Sequence, residues 1–457
     1  MSGWGLSLAF VMAVAVMLVS ISKFKVHPFL ALMGVSLLLA VSVGLPLDKI
    51  PGVIGAGFSG TFASIGIVII LGALIGAILE TTGAALKLAE CVVRRVGPKR
   101  PELALGLMGW IVSVPVFCDS GFVILNPIRK ALCQKTRRSS VAATVALSAG
   151  LYTSHVLIPP TPGPIAAAGA LGIGHLLLFV IAVGAVVSLP CLAAGFVFAN
   201  RIGRRVQSAE DREEQAGPGY DEILRGFGAL PGGFLSSAPI AMPIAAMALG
   251  SLSAALGGTG GVAAALAFLG APIIALTVGL FFGVILLVRA GKAASFGALT
   301  NETLKGVGPI LFITAAGGVL GKVIASAGFV GIMQQHAATL SSLGIFFPFL
   351  VSAILKTAQG SSTVAMTTTA GIMGSIADSG SMMQLLGLTS PAAAALTVMA
   401  IGIGSMVVSH ANDSYFWVVT NFGGLSVADG YKTQTAVTLV MGLVAMPAIW
   451  LLARLFA

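Results

Sequence analysis

Apolar residues run through this chain in long unbroken stretches, with neither strand-like alternation nor a one-sided helical stripe. Near-spanning runs occupy 4–21, 28–46, 62–80, 141–157, 174–199, 237–256, 262–288, 307–331, 391–410 and 434–453. About 20 apolar residues let a helix cross a hydrocarbon core roughly 30 Å thick. A transmembrane barrel would instead show alternating segments of about 10 residues. The pattern predicts an all-α polytopic membrane protein.

Two apolar stretches, 103–128 and 343–377, do not fit as simple spans. The first lies between two basic clusters, RRVGPKR (94–100) and RKALCQKTRR (129–138). One crossing would strand a cluster outside, against the positive-inside rule. Two crossings need about 40 residues, and 103–128 supplies 26. Two arms of about 12 residues reach roughly 18 Å, just past the midplane. The expectation is a re-entrant hairpin on the cytoplasmic side with Asp119 near its tip. Lys23, Lys25, Lys87, both clusters, the basic residues from Arg201 to Arg225, Arg289, Lys292, Lys305 and Lys432 then fall on the cytoplasmic side. Of the 25 basic residues only Lys49, Lys322, Lys356 and Arg454 do not, which fixes the expected orientation. The stretch 343–377 lacks basic flanks and is interrupted by KTAQGSST (356–363), so it reads as a second hairpin entering from outside.

The order is three spans, a hairpin and two spans in residues 1–200, a linker at 201–233, and the same order in 234–457. Five spans per half is odd, so the second half must be inverted. Inverted repeats with helices broken at the midplane are a recurring plan of secondary transporters. TSHVLIPPTPGP (153–164) and VSHANDSYFW (408–417) share a Ser-His pair at equivalent places. Lys23 and Lys25 follow the first apolar run, the reverse of a signal peptide, so that run reads as a retained span. Both termini are then expected outside.

Composition sharpens this picture. Charged residues make up 9% of the chain, against about 25% in a soluble domain. The 59 glycines suit close helix packing and broken helices. The net charge of +10 is explained by orientation and says little about substrate. Cys91, Cys118, Cys133 and Cys191 show no metal spacing, and no phosphate loop, zinc motif, dinucleotide fingerprint or nucleophile elbow stands in context. No cofactor or metal and no enzymatic activity are expected, and a pump would have to run on an ion gradient.

Four polar, Gly/Pro-broken segments interrupt the apolar background: FCDSGF (117–122), SHVLIPPTPGP (154–164), AQGSSTV (358–364) and SHANDS (409–414). Unwound backbone at membrane depth is tolerated where it is buried in protein or lines a cavity. Helix N-termini there favour an anionic ligand. Gly360, Ser361, Ser362 and Thr363 stand where the second arm of hairpin two would begin, and amides near Ser120 and Gly121 stand at the tip of hairpin one. The hydroxyls suit a carboxylate or sugar hydroxyls, and they equally suit helix capping. Asp119 and Asp413 are intramembrane acids, which mark ion or substrate pathways unless a structural partner neutralises them. His155 and His410 occupy corresponding breaks and read as ligand or proton groups, or as structural hydrogen bonders. Gln359, Asn412 and Asn126 both donate and accept, as polyol recognition requires. Glu80, at a span end, reads as interfacial.

LKTAQGSSTVAMTTTAGIM (355–373) and VSHANDSYFWVV (408–419) closely resemble signature segments of the bacterial gluconate permease family, the gluconate:H+ symporters of the ion transporter superfamily. The similarity runs over essentially the full chain. It implies proton-coupled import of gluconate or a related sugar acid across the inner membrane. It also implies a homodimer in which a scaffold holds a moving part containing both hairpins. Substrate binding would fall to Ser120, Gly121, His155, Gln359, Gly360, Ser361, Ser362, Thr363 and Asn412, and proton coupling to Asp119, Asp413 or His410. Where gluconate-type members tend to read FFEVGF, this chain reads FCDSGF. The shorter acid and extra hydroxyl leave glycerate or D-serine-like acids as alternatives. An ion channel or a cation/H+ antiporter on the same architecture would instead show flux independent of organic acids.

Overall fold

The computed structural model describes residues 8–456 apart from 10, 11, 14, 18, 21, 22, 25, 98, 99, 212–229, 256–258, 327–342, 411 and 412. The described chain is helical. Its N-terminal part forms α1 (Pro28–Ser42), α2 (Ile50–Thr81), α3 (Ala84–Val96), α4 (Pro101–Val112), α5 (Cys118–Thr136), α6 (Ser140–Leu157), α7 (Pro162–Ala170) and α8 (Leu177–Ile202). After the linker come α9 (Gly233–Ala255), α10 (Gly260–Gly270), α11 (Pro272–Arg289), α12 (Phe296–Ser326), α13 (Phe346–Gln359), α14 (Ser362–Met373), α15 (Pro391–Met406), α16 (Ser414–Phe422) and α17 (Ala436–Phe456).

Local chemistry explains many of the boundaries. Proline stands in the first turn of α1, α2, α4, α7, α11 and α15, where its missing N–H costs nothing. Ser139, Ser361 and Ser390 cap α6, α14 and α15 by accepting from the amides of Ala142, Val364 and Ala393. Six described helical segments are long and apolar enough to cross a membrane, or seven if the pair Gly66–Thr81 and Ala84–Val96, bent by 73°, counts as one.

The broken helices form the centre. Every residue of α6 is buried, with α4 and α8 packed along it. Likewise α15 is flanked by α13 and α17, and α8 meets α17. Outside this core α2 and α12 pack together, α2 reaching α7 and α12 reaching α14. Each of the four polar segments named above falls at a helix break: 113–117, 158–161, 360–361 and, among the described residues, 407–410 with Asp413. The backbone of α2 closes against two of these breaks. A Cβ on Gly72 would lie 2.7 Å from the Pro160 carbonyl oxygen, and one on Gly76 would lie 2.1 Å from that of Pro115.

One boundary differs from the expectation. The apolar arm read as ending at 128 continues as α5 to Thr136, straight through the start of the RKALCQKTRR cluster. The reason is that Arg129 is fully buried, with its guanidinium bonded to protein, so the helix has no cause to end at that charge.

Candidate functional site

Three helix N-termini converge on one cavity of about 290 Å³. From α5 come Phe117, Cys118 and Asp119; from the start of α14, Ser361, Ser362, Thr363 and Val364; from the start of α16, Asp413, Ser414 and Tyr415. His155 of α6 completes the polar lining, and Pro309, Ile310 and Ile313 of α12 supply an apolar wall. Unpaired amides at helix N-termini carry partial positive charge, so three of them around one small space favour an anion.

At the tip between α13 and α14 the chain turns on Gly360, whose φ of +91° is open to glycine and costly for most side chains. Ser361 then caps α14, its hydroxyl 3.3 Å from the Val364 amide. Ser362 and Thr363 are buried and line the cavity.

Asp413 is held on all sides. Its Oδ2 accepts from Ser409 Oγ at 2.6 Å and Tyr152 Oη at 3.2 Å, and pairs with Lys356 Nζ at 2.7 Å. Its Oδ1 caps α16 by accepting from the Tyr415 amide at 3.1 Å. Lys356 is fully buried; it also donates to the Gly360 carbonyl and stands 5.7 Å from the Tyr152 ring centroid. One lysine thus ties the α13–α14 tip to the 407–413 break.

Asp119 sits differently. Ser414 lines the same cavity, and Cys118 Sγ lies 3.7 Å from Asp119 Oδ2. Its Oδ1 is buried with no partner among the described residues. The same holds for Nδ1 of buried His155, whose ring lies 5.8 Å from that of Phe117. Buried polar atoms are seldom left unpaired without a reason, ligand or water being the usual ones. Both orphans belong to residues that line the cavity.

The structure therefore gathers Asp119, His155, Ser361, Ser362, Thr363 and Asp413 in one place. Other sequence candidates lie apart from the cavity wall. Gly121 is buried with its amide bonded to Phe117 O at 2.8 Å, and a Cβ there would stand 2.7 Å from Leu151; it is a packing position. Ser120 lies in the first turn of α5 and is not among the residues that line the cavity. Gly360 contributes its carbonyl to Lys356. His410 is half-buried, and its carbonyl accepts from the Asp413 amide at 2.8 Å. Asn126 bonds Arg129 at 2.7 Å, away from the cavity. Asn412 and the Gln359 side chain lie outside the described residues.

Lys356 is not among the sequence candidates, where it stands only as an exception to the charge bias. The signal was present: a lysine within an apolar arm, four residues before the Gly360 break, is itself an intramembrane charge.

Comparison with known proteins gives the arrangement its context. The sequence matches the profile of the GntP family permeases over residues 6–455. This chain belongs to the GntP permease family. Relatives of this permease include the inner membrane permease YgbN of Escherichia coli, 34% identical over 96% of each chain. The gluconate permease of Pseudomonas aeruginosa is 30% identical over 95% of each. The low-affinity gluconate transporter of E. coli is 30% identical over 94% of each. Among solved structures the YdaH transporter of Alcanivorax borkumensis superposes with a TM-score of 0.64, covering 94% of this chain and 99% of that one. At 16% identity that likeness is one of fold. This GntP permease is a multi-pass membrane protein of a transporter family.

Proposed function

We propose that this permease imports gluconate or a related small hydroxy acid together with H+ across the bacterial inner membrane. The observation that carries the reading is the cavity where three helix N-termini meet beside two buried atoms unpaired among the described residues, Asp119 Oδ1 and His155 Nδ1. The gluconate permeases among its relatives support the substrate class. The substrate carboxylate sits at the α14 N-terminus with Ser361, Ser362 and Thr363, and His155 reads a hydroxyl.

Asp119 carries the coupling proton. Asp413 already has Lys356, Tyr152, Ser409 and the Tyr415 amide as partners, so protonation would disrupt a satisfied centre. Asp119 faces the cavity with one oxygen unpaired. An ionised carboxylate left so is costly, and a proton on it removes that cost while an anion occupies the neighbouring space. The architecture we propose is an inverted repeat of 1–200 and 234–457, with α4–α5 and α13–α14 as re-entrant hairpins and both termini outside. Homodimerisation is proposed on the superfamily resemblance.

A thermal-shift screen of purified protein against gluconate, glycerate and D-serine, followed by proteoliposome uptake of the best hit, tests the substrate. A shift with gluconate or glycerate and pH-driven uptake is expected. Ion flux with no organic-acid dependence would sink the proposal.

A further inference from the structure

The buried face of α6 carries Ser140, Thr144, Ser148 and Tyr152 at four-residue spacing. Such positions stack on one face of a helix, with about 5–6 Å between successive Cβ atoms. Ser140 Oγ donates to Glu210 Oε2 at 2.5 Å. Tyr152 Oη donates to Asp413 Oδ2 at 3.2 Å. The stripe therefore joins the cavity to the linker end of the bundle, a rise of about 18 Å.

Its two middle members are oriented in a way that packing does not explain. Buried Ser and Thr in apolar helices usually turn their hydroxyl onto the carbonyl four residues back. Thr153 of the same helix does so at 2.7 Å, as do Ser188 and Thr397 at 2.7 and 2.8 Å. Ser148 instead donates to Gln434 Oε1 at 2.7 Å, and Tyr415, which lines the cavity, donates its hydroxyl to the Ser148 carbonyl at 3.2 Å. Thr144 Oγ1 and Gln434 Nε2 are buried without partners among the described residues. Thr144 faces Gly423, where a Cβ would lie 2.7 Å from its methyl carbon and 3.3 Å from its hydroxyl.

We propose that this file of hydroxyls is the route by which the coupling proton leaves the site toward the linker end. The inference rests on the H+-coupled reading above. The proton leaves the Asp119 carboxyl, restoring a carboxylate, and crosses the cavity to the tyrosine hydroxyls. It then passes along Ser148, Thr144 and Ser140, each oxygen taking one proton and releasing one, and is delivered to water beside Glu210. The stripe spaces successive Cβ atoms too widely for direct hydroxyl-to-hydroxyl contact, so the file needs transient waters between its members. The orphaned Thr144 and Gln434 atoms are the places proposed for them. The charged and titratable groups facing the file are Asp119, Asp413, Lys356 and His155 at the cavity, and Arg129, Lys130, Glu210 and Asp211 at the other end.

Proteoliposomes containing wild type, the double variant Thr144→Val with Ser148→Ala, and Thr144→Ser test this with gluconate as probe. Two rates are read: net uptake driven by a pH gradient, and exchange of labelled for unlabelled gluconate, which needs no net proton release. The double variant should keep exchange and lose net uptake by at least about tenfold, a modest part of the roughly 10²–10⁴-fold that positioned proton-transfer groups supply. Thr144→Ser should behave as wild type. Unchanged net uptake in the double variant, or equal loss of both rates, overturns the file and leaves the transport reading intact. Wild type with gluconate exchange but no pH-driven uptake overturns the H+-coupled reading, and the file with it.

Discussion

Two buried ion pairs stand near opposite ends of α6, and they differ in what surrounds them. Near its C-terminal end Lys356 pairs with Asp413 at 2.7 Å, and Asp413 faces a cavity that also holds Asp119 and His155 with unpaired atoms. At its N-terminal end Arg129 pairs with Glu210 at 2.9 Å. Arg129 Nε also donates to Asn126, Nη1 to Ser140, and Nη2 to the Phe422 carbonyl. Glu210 further holds Lys130, and neighbouring Asp211 accepts from the Ser140 amide at 2.7 Å. None of the lining of the central cavity comes from this second network. The first pair borders the cavity proposed as the transport site; the second fastens the linker to α5, α6 and the end of α16, beside the proposed proton exit.

The largest expected effect comes from breaking the first pair. Lys356→Met leaves Asp413 buried without its cation, a loss of about 3–5 kcal/mol. Uptake should fall by roughly 100-fold or more, the equivalent of about 3 kcal/mol or beyond. Adding Asp413→Asn removes the stranded charge, so melting temperature in detergent should recover while uptake does not. Recovery of both would make the pair structural and erase the contrast with Arg129.

Arg129→Met should cost less stability, about 1–3 kcal/mol, because Glu210 is part-buried and keeps Lys130 and Ser140 as partners. The uptake of the protein that remains folded should stay within several-fold of wild type. A collapse in uptake at unchanged melting temperature would assign this network to transport as well.

A smaller effect follows from pH. Burial works to raise the Glu210 pKa, but the Arg129 charge and the hydrogen bonds from Ser140, Lys130 and Arg129 outweigh it and hold the carboxyl below its ordinary value. A carboxyl with a folded-state pKa below its unfolded value contributes stability above the unfolded value and loses it as pH falls through the folded one. The stability gap between wild type and Glu210→Gln should therefore be full at neutral pH and shrink as pH drops below the ordinary carboxylate range. A gap that widens on acidification would contradict the assignment.

How much of this was legible in sequence depends on what each residue interrupts. The apolar runs and the four breaks were readable because Gly, Pro and hydroxyl residues stand out against an apolar background. Asp119, His155, Asp413 and Ser361 to Thr363 were found for that reason. Lys356 stands in the sequence only as an exception to the charge bias, because nothing local marks its burial against Asp413, 57 residues on. Arg129 reads in the sequence as part of a basic cytoplasmic cluster, and its partner Glu210 lies in the linker, 81 residues away. No local pattern encodes such a pairing. The hydroxyl stripe on α6 is visible as a period of four, but its meaning depends on which hydroxyls turn away from their own helix.

The most direct test of the account is Asp119→Asn in proteoliposomes, with pH-driven uptake and substrate exchange measured side by side. The variant keeps the shape of the cavity and removes the group assigned to the coupling proton. The account predicts that exchange persists while accumulation driven by the pH gradient is abolished. Full pH-driven accumulation in Asp119→Asn would contradict it.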